Sequence, residues 1–461
     1  MSELNAGPVR VFAAGMTGTV YSISTPMMTN RLLPIAMLFV LLLGMRAGEA
    51  ADYRALDAEV RAVQRVFAAA GGAVSSQTAV LLSVDPAHIN DAEEVLARAA
   101  SSGSLLPDSR DAELLWLAKR WMARAYLNEA ATLLARVRGN GDVGSEKILL
   151  QAEILARQGR HADAAALLQS AQAQMPQPWA SYAAYNLAAA SLSAGRTQAA
   201  LETLDALGRG TGGDDEVLAL RDRANITLGF QRLGAGDGAA AKAAFDRVRF
   251  DGPFSAEALF GLGWSEFSQN NLSRALIPWA ELNQRGALEP AVREVLLLAP
   301  YARWQLGAYR EAVEQYRTAI TRFDAELALL DRTRAGLGGD ALLDTLSITA
   351  QGDGAPRPPA GYDSFYLRAL MSAEPFRAGL DTLRHLREIE REAVSLPGGS
   401  AIATRANAAA AGYRELLRAY ADADLGAERE RSVSYRARAH FELARLLDEV
   451  SARENQQEGA K

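Results

Sequence analysis

Through the middle of the chain, apolar residues recur at three- and four-residue spacing in blocks several turns long, with short polar turns between them. That spacing predicts amphipathic helices, and no stretch alternates apolar with polar as a half-buried strand would. The helical blocks come in pairs with a fixed internal order. After Gly307 come Ala312, the aromatic Tyr316 and the small Ala319. The same intervals from Gly236 reach Ala241, Phe245 and Val248, and from Gly159 they reach Ala164, Leu168 and Ala171. From Gly195 they reach Ala200, Leu204 and Leu207, from Asn270 they reach Ala275, Trp279 and Leu282, and from Ala125 they reach Ala130, Leu134 and Val137. Each unit reads as a helical hairpin. The turn residue takes a left-handed conformation that ends the first helix. The alanine sits where two helices cross too closely for a larger side chain, and the bulky residue fills the seam beside it.

The turns at 125, 159, 195, 236, 270 and 307 lie 34, 36, 41, 34 and 37 residues apart. A period near 34 with this internal order resembles the tetratricopeptide repeat, over Asp111–Phe323. Leu228-Gly229 and Leu262-Gly263 match that family's Leu-Gly pair on the first helix. Three other repeats carry Leu117-Ala118, Gln151-Ala152 and Leu187-Ala188 there, and the last carries Ala299-Pro300, where proline predicts a kink. The one long interval coincides with the glycine-rich insertion at 208–215.

The resemblance implies an all-α, right-handed superhelical α-solenoid, used as a binding scaffold, whose concave groove is lined by the first helix of each hairpin. The groove positions it implies lie three, six, ten and thirteen residues before each turn. They are Phe267, Trp264, Phe260 and Glu257; Trp304, Tyr301, Leu297 and Glu294; Leu233, Phe230, Ile226 and Arg223; and Leu192, Ala189, Tyr185 and Tyr182. The earlier repeat turning at Gly159 offers Ala156, Glu153, Leu149 and Glu146, without an aromatic. The candidate partner-binding residues are therefore Tyr182, Tyr185, Phe230, Phe260, Trp264, Phe267, Tyr301 and Trp304, since aromatic anchors favour peptide binding and sugar stacking. The same rings could instead pack between adjacent first helices, or be covered by C-terminal helices folding back.

The remaining segments flank this array. Residues 51–110 read as an amphipathic helix with Leu56, Val60, Val63 and Phe67, followed by a degenerate repeat that caps the stack, turning at Asp85-Pro86. Residues 324–361 read as a packing helix and a Pro/Gly linker. Residues 362–461 read as a long-helix unit: one helix from Phe365 to Ile389, a turn at Pro397-Gly398-Gly399, and one or two helices over Ala401–Ser451. Such a pair either caps the solenoid or makes a homo-oligomer contact.

Composition adds an address. Arg31 precedes the apolar run Leu32–Met45, with the small residues Gly48 and Ala50 after it, so residues 1–50 read as a leader with a signal peptide cleaved after Ala50. The long, nearly uncharged stretch before it suggests a true start at Met27 or Met28. The destination expected is the periplasm, with an uncleaved inner-membrane anchor as the alternative and membrane contact only through that leader.

Composition also excludes chemistries. The chain has no cysteine, which removes disulfides, thiolate metal sites and cysteine nucleophiles together. Its 49 basic and 55 acidic residues give a net charge of −6 and no general attraction to nucleic acid. The four histidines (His88, His161, His385 and His440) are dispersed, and no phosphate loop or catalytic triad motif is present. No catalytic, metal or cofactor residue is assigned. The expected function is an exported, non-enzymatic adaptor for a protein or peptide partner in the cell envelope. Glycan binding in peptidoglycan remodelling or polysaccharide export is one alternative, and structural oligomerisation is the other.

Overall fold

The computed structural model describes residues 47–73, 76–101, 106, 109–285, 289–349, 358–359, 361–362 and 365–459. The leader expected over residues 1–50, with its apolar run and most of the segment before the cut, lies outside them up to residue 46. So do most of the loop at 101–109 and of the linker at 348–362. Every regular element among the described residues is a helix.

Two short units open the fold: α1 (Ala47–Ala69), then α2 (Gln77–Ser83), a 3-10 turn at Pro86–Asp91 and α3 (Ala92–Ser101). Six hairpins follow. They are α4 (Arg110–Ala123) with α5 (Leu127–Arg136), α6 (Gly141–Arg157) with α7 (His161–Ala171), and α8 (Trp179–Ser193) with α9 (Thr197–Gly208). Next come α10 (Asp215–Gly234) with α11 (Gly238–Phe245), α12 (Ser255–Ser268) with α13 (Leu272–Asn283), and α14 (Pro290–Gln305) with α15 (Tyr309–Gly338). Each packs on the next, making an all-α solenoid.

The hairpin grammar is visible atom by atom. All six turn residues have positive φ, including the non-glycines Ala125 and Asn270. The alanines five residues on (Ala130, Ala164, Ala200, Ala241, Ala275 and Ala312) are each 0% exposed. The residue filling each seam is matched by the one facing it on the first helix. A Cβ on Gly229 would lie 2.5 Å from the Phe245 ring, and one on Gly263 would lie 2.1 Å from Trp279 Nε1. Where the seam residue is the smaller Leu134, Leu168 or Leu204, the facing position holds Ala118, Ala152 or Ala188, all buried. Glycine here is the volume complement of the ring. Pro300 lies inside α14 without ending it.

Beyond the array the structure departs from the expected segmentation. The second helix of the last hairpin does not stop at residue 323: α15 runs on to Gly338, because no glycine or proline interrupts 309–335. After α16 (Asp340–Thr349), the expected single helix over 365–389 is two, α17 (Phe365–Ser372) and α18 (Glu374–Ala393). Ala373 is extended (φ −67°, ψ 123°) and starts α18 as its N-cap, and Pro375 fits only the first turn of that helix, since a continuous helix would need its missing N–H. The last segment is one helix, α19 (Gly399–Gly459), of 61 residues. At 1.5 Å per residue it is about 90 Å long.

The two ends of the chain share a core. Tyr53, Val60, Val63 and Phe67 of α1 and Leu82 of α2 are buried with Leu330 and Leu337 of α15, Leu343 and Leu346 of α16, and the apolar faces of α17, α18 and α19. The segments 51–110, 324–361 and 362–461 thus meet, and α19 also runs along α15 and reaches α14. A buried ion pair fastens this junction to the first hairpin. Arg124 Nη1 donates to Asp57 Oδ1 at 2.6 Å, and its Nη2 donates to Thr382 Oγ1 at 2.6 Å and to the Ala378 carbonyl at 3.2 Å. Tyr126 donates to Asp57 Oδ2 at 3.1 Å, and Tyr413 donates to Asp57 Oδ1. Burial alone would lower the Arg124 pKa, but Asp57 and the surrounding tyrosines outweigh it, so the guanidinium stays charged.

Candidate partner-binding groove

The eight aromatics expected in the groove fall into two groups. Tyr182 and Tyr185 of α8 are buried in the core of the middle hairpins. The Tyr182 hydroxyl donates to Glu216, Tyr185 shares a 3.2 Å hydrogen bond with Thr227, and the Arg223 guanidinium lies 5.4 Å over the Tyr185 ring. Burial, then the Glu216 carboxylate, raises the Tyr182 pKa, so it stays a neutral donor. Both side chains are engaged in fastening α8 to α10.

The other six form a ladder of rings along α10, α12 and α14. Phe230 meets Phe245 edge-on at 5.0 Å and Phe260 at 6.2 Å. Phe260 stacks with Trp264 at 6.2 Å, and Trp264 stacks with Phe267 at 5.3 Å. Phe267 reaches Tyr301 at 6.1 Å, and Tyr301 meets Trp304 edge-on at 6.1 Å. Ring pairs at these separations gain stability beyond the area they bury. Successive first helices place aromatics at matching offsets, so the ladder crosses three repeats unbroken.

Its rungs are not equally open. Phe260 is 1% exposed, and its carbonyl accepts from Trp279 Nε1 at 3.2 Å. Trp304 is 6% exposed because α19 lies over it: Nε1 donates to Glu449 at 2.8 Å, and the Arg445 guanidinium sits 5.3 Å from the ring. With Tyr182 and Tyr185, these residues serve the chain's own packing and offer a partner little surface. Phe230, Trp264, Phe267 and Tyr301 are half-buried and form the strip that remains. Burial raises the Tyr301 pKa, with Glu442 adding to the effect and Arg445 opposing it, so α19 charges border the strip at that end. At the other end, Glu257 stands between Arg223 and Arg285, its pKa raised by burial.

The α19 residues bordering the strip were missed in the sequence reading. A signal for them exists: Glu428, Tyr435, Glu442 and Glu449 are seven residues apart, as are Leu425, Ser432, Ala439 and Leu446. Two adjacent seven-residue rows mark a helix face laid along another helix. Leu425, Ser432, Ala439 and Leu446 are all fully buried.

Among the described residues, no group of three or more His, Asp or Glu is arranged to hold a metal ion, and no helix is long and apolar enough to cross a membrane. His88 pairs with Asp85 at the surface, while His385 is buried on α18.

The hairpins, their left-handed turns and the small-residue crossings define an α-solenoid of repeated helical pairs. A family model described as Tetratricopeptide repeat matches residues 155–224, across the hairpins from α7 to α10. With the array on either side, this match supports a protein of the tetratricopeptide repeat superfamily. No curated protein matches the chain.

Proposed function

We propose that the chain is a non-enzymatic scaffold that holds a protein or peptide partner in the bacterial cell envelope, gripping it along Phe230, Trp264, Phe267 and Tyr301. The observation that carries this is the ring ladder on consecutive first helices, partly exposed at Phe230, Trp264, Phe267 and Tyr301 and covered at Phe260 and Trp304. Repeats of this family are in general protein-interaction surfaces, and a half-exposed apolar strip rimmed by charge suits a segment with apolar anchors. Stacking of Trp264 between Phe260 and Phe267 leaves less of its face for a sugar, which favours a peptide over a glycan. Export rests on the Leu32–Met45 run with Arg31 before it and Gly48 and Ala50 after it.

The test is capture from envelope extract by the full chain and by a Trp264→Ala/Tyr301→Ala variant, with circular dichroism on both. Loss of a partner from a folded variant supports the strip. Retention of every partner by a folded variant places binding elsewhere. N-terminal sequencing of the protein from its native host tests export, and an intact leader on a cytoplasmic product contradicts it.

A further inference from the structure

Where α19 crosses the last hairpin, a second set of buried ionisable groups joins four helices: Arg293 and Glu294 of α14, Glu326 of α15, Tyr366 of α17, and Glu428, Ser432 and Tyr435 of α19. The cations are engaged by one carboxylate. Arg293 Nη1 lies 3.0 Å from Glu428 Oε2, and Arg431 Nη1 donates to Glu428 Oε1 at 2.8 Å. Glu294 and Glu326 have no ion partner within bonding distance and are reached by phenols: the Tyr435 hydroxyl donates to Glu294 and the Tyr366 hydroxyl to Glu326. Glu294 Oε2 is buried with no hydrogen-bond partner. A buried carboxylate with an unsatisfied oxygen and no ion partner is costly, and a proton removes most of that cost.

We propose that Glu294, with Glu326, is the proton-binding element of a clasp that seats the C-terminal half of α19 on the last hairpin. The clasp is closed while the carboxyl carries its proton and loosens when the proton leaves to solvent.

Every helix packed at this point contributes to the balance. Burial pushes the Glu294 pKa up to about 7, against the Tyr435 hydrogen bond and the charges of Arg293 and Arg438. Burial also raises Glu326, against Tyr366, Arg293 and Ser432 and with Glu428 adding to the rise, and Arg322 of α15 stands in its field. From α19, Arg431 acts on Tyr435. On the other side of α14, Glu257 of α12 is set among Arg223, Arg285 and Glu289. A carboxyl whose folded pKa is raised stabilises the fold fully below its ordinary range near 4.5, and that contribution disappears as pH rises through about 7.

Hydrogen exchange of the full chain between pH 4.5 and 8.5, corrected for intrinsic base catalysis, reads this directly. Residues 428–450 should lose protection by about tenfold per pH unit between about 4.5 and 7, the slope for one proton, and level off above. Residues 402–425, held beside Arg124, should not change. Glu294→Gln should flatten the profile of 428–450. Tyr435→Phe removes a hydrogen bond that favours the charged carboxylate, so it should move the levelling-off to higher pH. Protection at 428–450 that ignores pH, equal loss in both halves, or a wild-type profile in Glu294→Gln overturns the proposal. If Glu294→Gln does not fold, a levelling-off in Tyr435→Phe that stays put or moves to lower pH overturns it equally.

Discussion

The long C-terminal helix is fastened to the array at two places, and the two are built differently. At the first hairpin, Arg124 meets Asp57 at 2.6 Å; Thr382 and the Ala378 carbonyl accept from Arg124, and Tyr126 and Tyr413 donate to Asp57. One cation answers one anion, and neutral groups surround the pair, with Arg124 Nε left without a partner. At the last hairpin, Glu428 holds Arg293 and Arg431, while Glu294 and Glu326 are left with tyrosine hydroxyls. The first arrangement gives its buried anion a cation at bonding distance; the second needs a proton to be comfortable. Equal burial therefore does not mean equal permanence. What decides is whether each buried charge has its own counter-charge.

The comparison breaks most visibly at Arg124. Arg124→Met leaves Asp57 charged and buried without a cation and should cost about 3–5 kcal/mol in urea unfolding at any pH from 6 to 8.5. Next comes Glu294→Gln. It should be close to neutral below pH 4.5 and stabilise by about 2 kcal/mol more at pH 8.5 than at pH 5.5, because wild type must ionise a buried carboxyl that the variant lacks. Tyr413→Phe is milder, at about 1 kcal/mol, since Asp57 keeps Arg124 and Tyr126. The smallest effect is expected outside the buried clasps. Arg436 and Asp324 pair at 2.9 Å on the surface of α19 and α15, and Arg436→Ala should shift stability by about 0.5 kcal/mol or less.

Across the pH profile two groups oppose each other in one window. Stability falls with the Glu294 proton between about pH 4.5 and 7 and levels off above. His385 acts in the opposite sense: burial lowers its pKa to about 4, with Arg384 adding, and neither ring nitrogen has a hydrogen-bond partner. A base with a lowered folded pKa destabilises the fold as pH drops below its ordinary 6.5 toward 4. His385→Leu should remove that opposing contribution and steepen the fall toward pH 7, as urea midpoints across pH 4.5–8.5 would show.

The array was legible because its constraints are local. A positive-φ turn, an alanine at the crossing and a bulky residue four positions on recur within each hairpin, so each repeat announces itself. Even the exchange of Gly263 for Ala188, opposite Trp279 and Leu204 respectively, is written in the sequence as a trade of volume. The groove was legible only in part. Offsets within a repeat put rings on the first helices, where Phe260, Trp264 and Phe267 stack, but they do not say which rings the chain covers itself. Trp304 is covered by Glu449 and Arg445, more than 140 residues away in sequence, and no intra-repeat pattern could show that. The continuity of α19 was also ambiguous, because Gly412 and Gly426 lie inside it. Gly412 is there for packing, since a Cβ would lie 2.6 Å from Leu56 Cδ2 where α1 crosses.

Between the two clasps lies the strip on which the functional reading depends. The most direct test is site-specific photo-crosslinking in the native host, with a photoreactive phenylalanine analogue in place of Phe267. The control places the same probe at Ile277, which is 71% exposed on α13. The account predicts a cross-link to a discrete protein partner from position 267 and none from 277. A partner trapped from 277 and not from 267 would contradict it.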